Sequence, residues 1–321
     1  MVPDAGYAIE HLNVRGIARR SPLRAAAAGA LAVGAIATAR RSLRDRHADV
    51  VMGGGGYVAG PAGVAALAMR VPLVLTEADR HLGLANRILA RRARRVCLAF
   101  PIEGREGARY LVTGRPVPAA VGAADRDGAR RRFGIAAEDR CLLVFGGSQG
   151  ARTINLCALD AFTDGGPAAA RGYHVLHIAG RRDYPLARRR LDGPSVERYT
   201  LLEYEPNLAD ALAASDLVLA RAGGSVFELA AAGRPAILVP YPHATARHQH
   251  ANAAWMAEAG AATVIEDEAL DPAGLARAVA DLFADERRLA SMAAASRSLA
   301  RPDAAERIAG EILRASESGT R

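Results

Sequence analysis

Short apolar runs alternate along the chain with longer stretches whose apolar residues recur at helical spacing, and most runs end in glycine-rich or polar loops. This alternation predicts parallel βα units, because a strand covered by helices on both faces is apolar throughout. The runs predict strands over 49–52, 72–76 and 95–100, with helices near 61–69 and 84–92. Beyond them, strands are expected over 141–145, 173–178, 217–220 and 236–239. Helices are expected to begin near Ala151, Asn207, Ser225 and Gln249, and two or three more to follow Pro272. Residues 101–135 are rich in glycine, proline and charge and read as a connection between two α/β lobes, 1–134 and 135–321.

With 321 residues, 50% hydrophobic and 24% charged, the chain is long and apolar enough for two folded domains. All 42 basic residues are arginine; residues 1–134 carry a net charge of +12 and residues 135–321 a net charge of −4. Such asymmetry fits either a first lobe facing an anionic partner (phosphate, lipid head group or nucleic acid) or a merely solvated basic surface. Nucleic acid ranks last, since aromatics make up only 5% and no RRM, KH or zinc-finger pattern occurs. Cys97, Cys141 and Cys157 lie far apart without a CxxC spacing, which argues against a zinc site or disulfide framework and for a reducing, cytoplasmic setting. Residues 25–39 lack charge and are flanked by Arg15, Arg19, Arg20 and Arg24 before and Arg40, Arg41, Arg44 and Arg46 after. This stretch is too short to span a bilayer. It fits a buried alanine-rich helix, a helix lying on an anionic membrane surface, or one helix doing both.

Five loops carry candidate chemistry. Gly146-Gly147-Ser148-Gln149-Gly150 follows an expected strand and opens a helix, and the unpaired N–H groups of such a turn suit a phosphate or diphosphate. It lacks the Lys-Ser/Thr ending of a P-loop. Arg221-Ala222-Gly223-Gly224-Ser225 repeats the design, and Glu228 fits either a capping box with Ser225 or an acceptor for a ribose diol. The loop from Pro240 to Asn252 holds His243, His248 and His250 at spacings unsuited to one metal, whereas Gln249 and Asn252 suit sugar hydroxyls. Gly53-Gly-Gly-Gly56 precedes Tyr57, with Pro61 expected to start a helix, and Thr76-Glu77-Ala78-Asp79 ends the next strand.

In this order the loops resemble those of the MurG family, the N-acetylglucosaminyltransferases that convert lipid I to lipid II in peptidoglycan synthesis. The matching stretches are Gly54–Gly63, Glu77–Asn86, Gly146–Arg152, Arg221–Gly233 and His248–Ala253, colinear from Val2 to near the end. The resemblance implies a GT-B fold of two Rossmann-like lobes, with UDP-N-acetylglucosamine held by the C-terminal lobe. It also implies an undecaprenyl-linked acceptor reached from the N-terminal lobe, at the cytoplasmic face of the cell membrane. By position, Ser148 would contact the diphosphate, the backbone near Glu205 the uracil, and Gly223, Gly224 and Ser225 the phosphates, with Gln149 a further substrate-binding candidate. Glu228 would take the ribose and Gln249 the sugar hydroxyls; Tyr57 could orient the acceptor, and Asp79, Asn86 and Asn252 are further substrate-binding candidates. No cofactor or metal is implied, because helix N-termini can neutralise a leaving UDP.

Some positions depart from the family pattern. Its opening strand and Gly-Gly-Thr-Gly-Gly-His loop, which holds the leading candidate for the general base, have no counterpart here, so the N-terminal lobe is expected to be truncated. Glu77 and Asp79 then remain as candidate bases. Pro118 stands where a donor-binding arginine is usual, with Arg115 nearby. Alternatives are a GT-B transferase for another glycolipid or natural product and a catalytically silent UDP-sugar-binding protein.

Overall fold

The computed structural model describes residues 3, 6–14, 22–147, 149–163, 165–168, 172–191, 198–244 and 247–317, with backbone alone for 22–30 and Tyr57. The chain divides into two compact units, Met1–Arg115 with Asp303–Arg321, and Pro116–Pro302.

The first unit contains α1 (Pro22–Asp45), β1 (Val51–Gly53), α2 (Gly56–Ala68), β2 (Leu73–Glu77), α3 (Leu84–Leu89), β3 (Arg95–Leu98) and β4 (Tyr110–Val112). Its four strands are parallel in the order β1-β2-β3-β4. The apolar runs form strands because both sheet faces are covered: Leu73, Leu75, Val96 and Leu98 pack with Leu89 and Ala90. α1 is longer than the uncharged stretch within it and packs on α2; its buried positions Ala35 and Ala39 are one turn apart. Val33, Arg40, Arg41 and Arg44 are exposed. α2 begins at Gly56, so Pro61 lies inside it rather than at its start. The positive φ angles of Gly55 and Gly56 (82° and 72°) turn the chain sharply enough to start the helix early.

The second unit contains α4 (Ala120–Ala123), α5 (Arg126–Phe133), β5 (Arg140–Phe145), α6 (Arg152–Phe162), β6 (Tyr173–Ile178), α7 (Tyr184–Arg190) and β7 (Tyr199–Leu202). It continues with α8 (Leu208–Ala214), β8 (Leu217–Ala220), α9 (Val226–Ala232), β9 (Ala236–Leu238), α10 (His248–Glu258), β10 (Ala262–Val264), α11 (Pro272–Ala284) and α12 (Glu286–Ser298). The sheet order is β10-β9-β8-β5-β6-β7, all parallel. The last helix, α13 (Ala304–Glu317), returns to the first unit.

The units differ from the expected lobes at both edges. Residues 116–134 hold two helices and belong to the second unit, where buried Arg130 donates to the carbonyls of Ala136, Ala137, Asp139 and Ala214. α13 places Ile308 and Ala315 against Val74 and Cys97, and Glu311 accepts from Arg95 Nε at 2.6 Å. β4, β7 and β10 are not among the expected strands because all three are edge strands of half-buried residues and lack a long continuous apolar run. All three cysteines are buried and free; burial pushes the thiols up to about 11 for Cys97 and about 12 for Cys141 and Cys157, leaving them unreactive. No helix of the described residues is long and apolar enough to cross a membrane.

Candidate functional site

In the second sheet the chain builds outward from β5 to β6 and β7 on one side and to β8, β9 and β10 on the other. Neighbouring strands that lead their loops in opposite directions leave a crevice at their carboxyl ends, where open α/β sheets take ligands. Phe145 and Ala220 are paired in register, so the loops after β5 and β8 start level. Between them lies a cavity of about 760 Å³, lined by Gly146, Gly147, Gly150 and Ala151 from the first loop and by Arg221, Gly223, Gly224, Ser225 and Glu228 from the second.

The first loop is shaped by backbone contacts that side chains would block. A Cβ on Gly146 would stand 2.5 Å from the nitrogen of Ala151, and one on Gly180 only 2.2 Å from the nitrogen of Gly150. Gly147 and Gly150 take φ of 91° and 83°. Ala151 begins α6 without a side-chain cap, so the first N–H groups of this helix are open to an anion. Arg152, Thr153 and Arg182 line the same cavity, and Arg152 and Arg182 lie 3.4 and 3.3 Å from buried Asp183.

Behind this loop runs a buried polar chain. Tyr199 Oη meets His177 Nδ1 at 2.7 Å, and His177 Nε2 meets Asn155 Oδ1 at 3.0 Å. Asn155 Nδ2 donates to the carbonyl of Ala179 at 2.8 Å and to Asp183 Oδ2 at 3.2 Å. Full burial pushes the His177 imidazole down to about 3 from an ordinary value near 6.5, so the folded protein holds it neutral. The stability it contributes is present above pH 6.5 and lost as the pH falls toward 3, because the unfolded chain takes up a proton that the folded one refuses. Urea unfolding of the wild type and His177→Gln is expected to show the difference between them begin to fall near pH 6.5 and approach a slope of about 1.4 kcal/mol per pH unit below about pH 5.5. Parallel curves would contradict a neutral His177.

The second loop is held from beneath. Ser225 sits in helical geometry and makes no side-chain cap, so the hydrogen bond expected from Ser225 in a capping box does not form, and Glu228 lines the cavity. Gln249 also lines it; its Oε1 accepts from the nitrogen of Tyr241 at 2.9 Å. Asn252 is instead placed behind the loop, buried, with Nδ2 donating to the carbonyls of Ala222 (3.0 Å) and Gly223 (3.4 Å). Glu205 lines the cavity with its carboxylate occupied by Arg132 Nη2 (2.7 Å) and the nitrogen of Asn207 (2.8 Å). Ser148 lies outside the described residues; Gln149 is exposed on the same loop.

Arg221 and Tyr241 lie in two of the expected loops, but the sequence assigns neither a role of its own. Arg221 lines the cavity, its guanidinium 5.5 Å from the Tyr241 ring and 2.5 Å from Asp267, and it donates to the carbonyls of Val239 and Pro240. Thr153 Oγ1 donates to the other oxygen of Asp267 at 3.3 Å, so one carboxylate ties the start of α6 to the second loop. An arginine directly after an apolar strand was the available signal. Its partner, 46 residues away, was not visible.

In the first unit, Glu77 is buried and accepts from the nitrogens of Asp79 (3.3 Å) and Gly83 (2.9 Å) and from Asn86 Nδ2 (3.0 Å). Asn86 is fully buried and also donates to the carbonyl of Thr76, which places it as a brace of this loop. Asp79 is half-buried, and Tyr57 lies in the first turns of α2.

The glycosyltransferase family 28 N-terminal domain matches residues 1–98 and the C-terminal domain of that family residues 141–308. The UDP-N-acetylglucosamine–N-acetylmuramyl-(pentapeptide) pyrophosphoryl-undecaprenol N-acetylglucosamine transferase of Moorella thermoacetica is 40% identical over 328 residues, covering 99% of this chain and 88% of that one. The protein of the same name from Rubrobacter xylanophilus is 39% identical over 324 residues, covering 100% and 93%. The crystal structure of Acinetobacter baumannii MurG matches with a TM-score of 0.75 at 28% identity, over 98% of this chain and 87% of that one. Its likeness extends over both parallel sheets, the two lobes of a GT-B fold. Both domain matches and the near-full-length identity lead to one assignment: the chain belongs to glycosyltransferase family 28 and, within it, to the MurG family.

Proposed function

We propose that the protein transfers N-acetylglucosamine from UDP-N-acetylglucosamine to an undecaprenyl-diphosphate-linked muramyl pentapeptide, inverting the anomeric centre. The observation that carries this reading is the cavity at the switch point of the second sheet, with an uncapped helix end on one wall and Glu228 and Gln249 on the other. The diphosphate is assigned to the open N–H groups of α6 and the turn Gly223–Ser225, with Arg152, Arg182 and Arg221 adding positive charge. Glu228 accepts from the ribose hydroxyls, Gln249 Nε2 donates to the sugar, and the backbone beside Glu205 meets the uracil. As the acceptor oxygen bonds to the anomeric carbon, the bond to UDP breaks, and these donors stabilise the charge that develops on the diphosphate.

The acceptor hydroxyl must lose its proton in this step. Of the two carboxylates proposed for it, Glu77 has both oxygens committed to loop donors, so the role falls to Asp79. The protein is further proposed to work as a peripheral protein on an anionic cytoplasmic membrane face, through the arginines at the end of α1. Its sedimentation with phosphatidylglycerol vesicles is then expected to be strong at low salt and lost at high salt. Salt-independent binding, or none, would remove this role.

Calorimetry and a lipid I transfer assay test the main reading. Wild type is expected to bind UDP-N-acetylglucosamine, and Glu228→Ala to weaken binding by about 1.5 to 3 kcal/mol, roughly ten- to a hundredfold, through loss of a charge-assisted hydrogen bond. In the same assay Asp79→Asn should lower kcat without weakening donor binding. Donor binding unchanged by Glu228→Ala would remove the ribose assignment, and binding without transfer would favour a silent UDP-sugar-binding protein.

A further inference from the structure

The second unit has another concavity, at the opposite ends of the same strands. A pocket of about 310 Å³ lies where β5, β8 and β9 begin, against α12, and is lined by Arg140, Arg234, Arg297 and the apolar surface of Pro235, Leu289 and Ala293. The nearby charges do not balance: the guanidiniums of Arg126, Arg130, Arg140, Arg234 and Arg297 face two carboxylates, Asp216 and Glu286. Asp216 is already saturated. Its Oδ1 accepts from Arg126 at 2.6 Å, and its Oδ2 accepts from Arg130 at 3.1 Å and from the nitrogen of Cys141 at 2.9 Å. Glu286 pairs with Arg140.

Arg234 and Arg297 form no ion pair with a described residue, and Asp216, the carboxylate that attracts Arg234, is committed to its other partners. Arg234 Nη1 donates to the carbonyl of Ser215 at 2.7 Å, while its Nε is buried with no hydrogen-bond partner among the described residues. Burial, then repulsion from Arg126 and Arg297, outweighs the attraction of Asp216 and pushes this guanidinium down to about 10. The exposed Arg297 passes over a glycine. Gly233 takes a left-handed φ of 61°, and a Cβ there would stand 2.3 Å from Arg297 Cγ and 3.1 Å from its Nη1. The arginine stem thus lies flat on backbone, and its guanidinium forms no ion pair or hydrogen bond with a described residue.

Two cations without ion-pair partners among the described residues, beside an apolar wall, make a receptor for an anion with an apolar body. We propose that this pocket binds a phosphate monoester, its phosphate between Arg234 and Arg297 and its organic part against Pro235, Leu289 and Ala293. Phosphate suits the site better than carboxylate, because a dianion with three free oxygens can accept from two separate guanidinium forks. This site is distinct from the cavity assigned to UDP-N-acetylglucosamine, which lies at the carboxyl ends of the strands.

The test is titration calorimetry on the full chain with UDP at saturation, so that the first cavity does not compete, using phenyl phosphate, inorganic phosphate and benzoate as probes at matched ionic strength. Phenyl phosphate is expected to bind with one site per chain and more tightly than either other probe. Arg297→Met, which keeps the stem on Gly233, should weaken it about tenfold or more while leaving UDP affinity and the unfolding midpoint unchanged. Absent binding, binding unchanged in Arg297→Met, or equal affinity for benzoate or inorganic phosphate would overturn the proposal.

Discussion

Gly180→Ala is expected to abolish UDP-N-acetylglucosamine binding and to destabilise the second unit by about 3 to 5 kcal/mol, the sum of left-handed strain and overpacking. Gly180 takes φ of 81°, and its missing side chain is what lets the backbone of Gly150 approach. A methyl group would stand 2.2 Å from the nitrogen and 2.5 Å from the Cα of Gly150, atoms that cannot rotate away. The loop over the start of α6 must therefore move, and with it the N–H groups assigned to the diphosphate. Gly147→Ala is the control. Its φ of 91° is equally left-handed, but nothing lies within 4 Å of its Cβ, so only the strain of about 1 to 2 kcal/mol remains. Urea unfolding and donor calorimetry on both variants check this; wild-type behaviour of Gly180→Ala would mean that the two loops are not locked together.

Asn155→Ala is expected to cost about 3 to 5 kcal/mol, since three buried partners lose a hydrogen bond at about 1 to 3 kcal/mol each and some relax. Those partners are His177 Nε2, the carbonyl of Ala179 and Asp183 Oδ2. The side chain is 2% exposed, so water cannot replace them without entering the core. Asn155→Asp is the informative companion, because it keeps the shape and the acceptor toward His177 but turns the donor toward Ala179 and Asp183 into a second acceptor. If the donor end matters most, unfolding measurements should show Asn155→Asp at least as unstable as Asn155→Ala near pH 7. A cost below about 1 kcal/mol for both would show that the chain of contacts behind the loop is not a structural unit.

The seven strands expected from the sequence all form, within one or two residues of the expected bounds, because parallel strands buried on both faces must be continuously apolar. The first glycine loop was legible for a similar reason: only glycine tolerates the left-handed φ that Gly147 and Gly150 take and the backbone contact that Gly146 and Gly150 make. What the residues are was thus enough to find the two loops of the candidate site. It was not enough to separate residues that line the cavity from residues that support it. Gln249 and Asn252, three apart on one helix, looked alike, yet the first lines the cavity and the second is buried behind it. Glu77, a candidate base, and Asn86, a candidate for binding substrate, are bonded to one another.

The partners that decide such roles are long-range. Arg221 is fixed by Asp267, Glu205 by Arg132, Arg95 by Glu311, and Asn155 by His177, with sequence separations from 22 to 216 residues. The unit boundary belongs to the same class, since residues 116–134 and α13 are assigned by the surfaces they cover rather than by their composition. Local chemistry, meaning burial on two faces and the freedom of glycine, was written in the sequence itself. Which polar groups satisfy one another was decided only when the fold brought distant segments together, because a hydrogen bond or ion pair depends on separation in space and leaves no periodic trace along the chain.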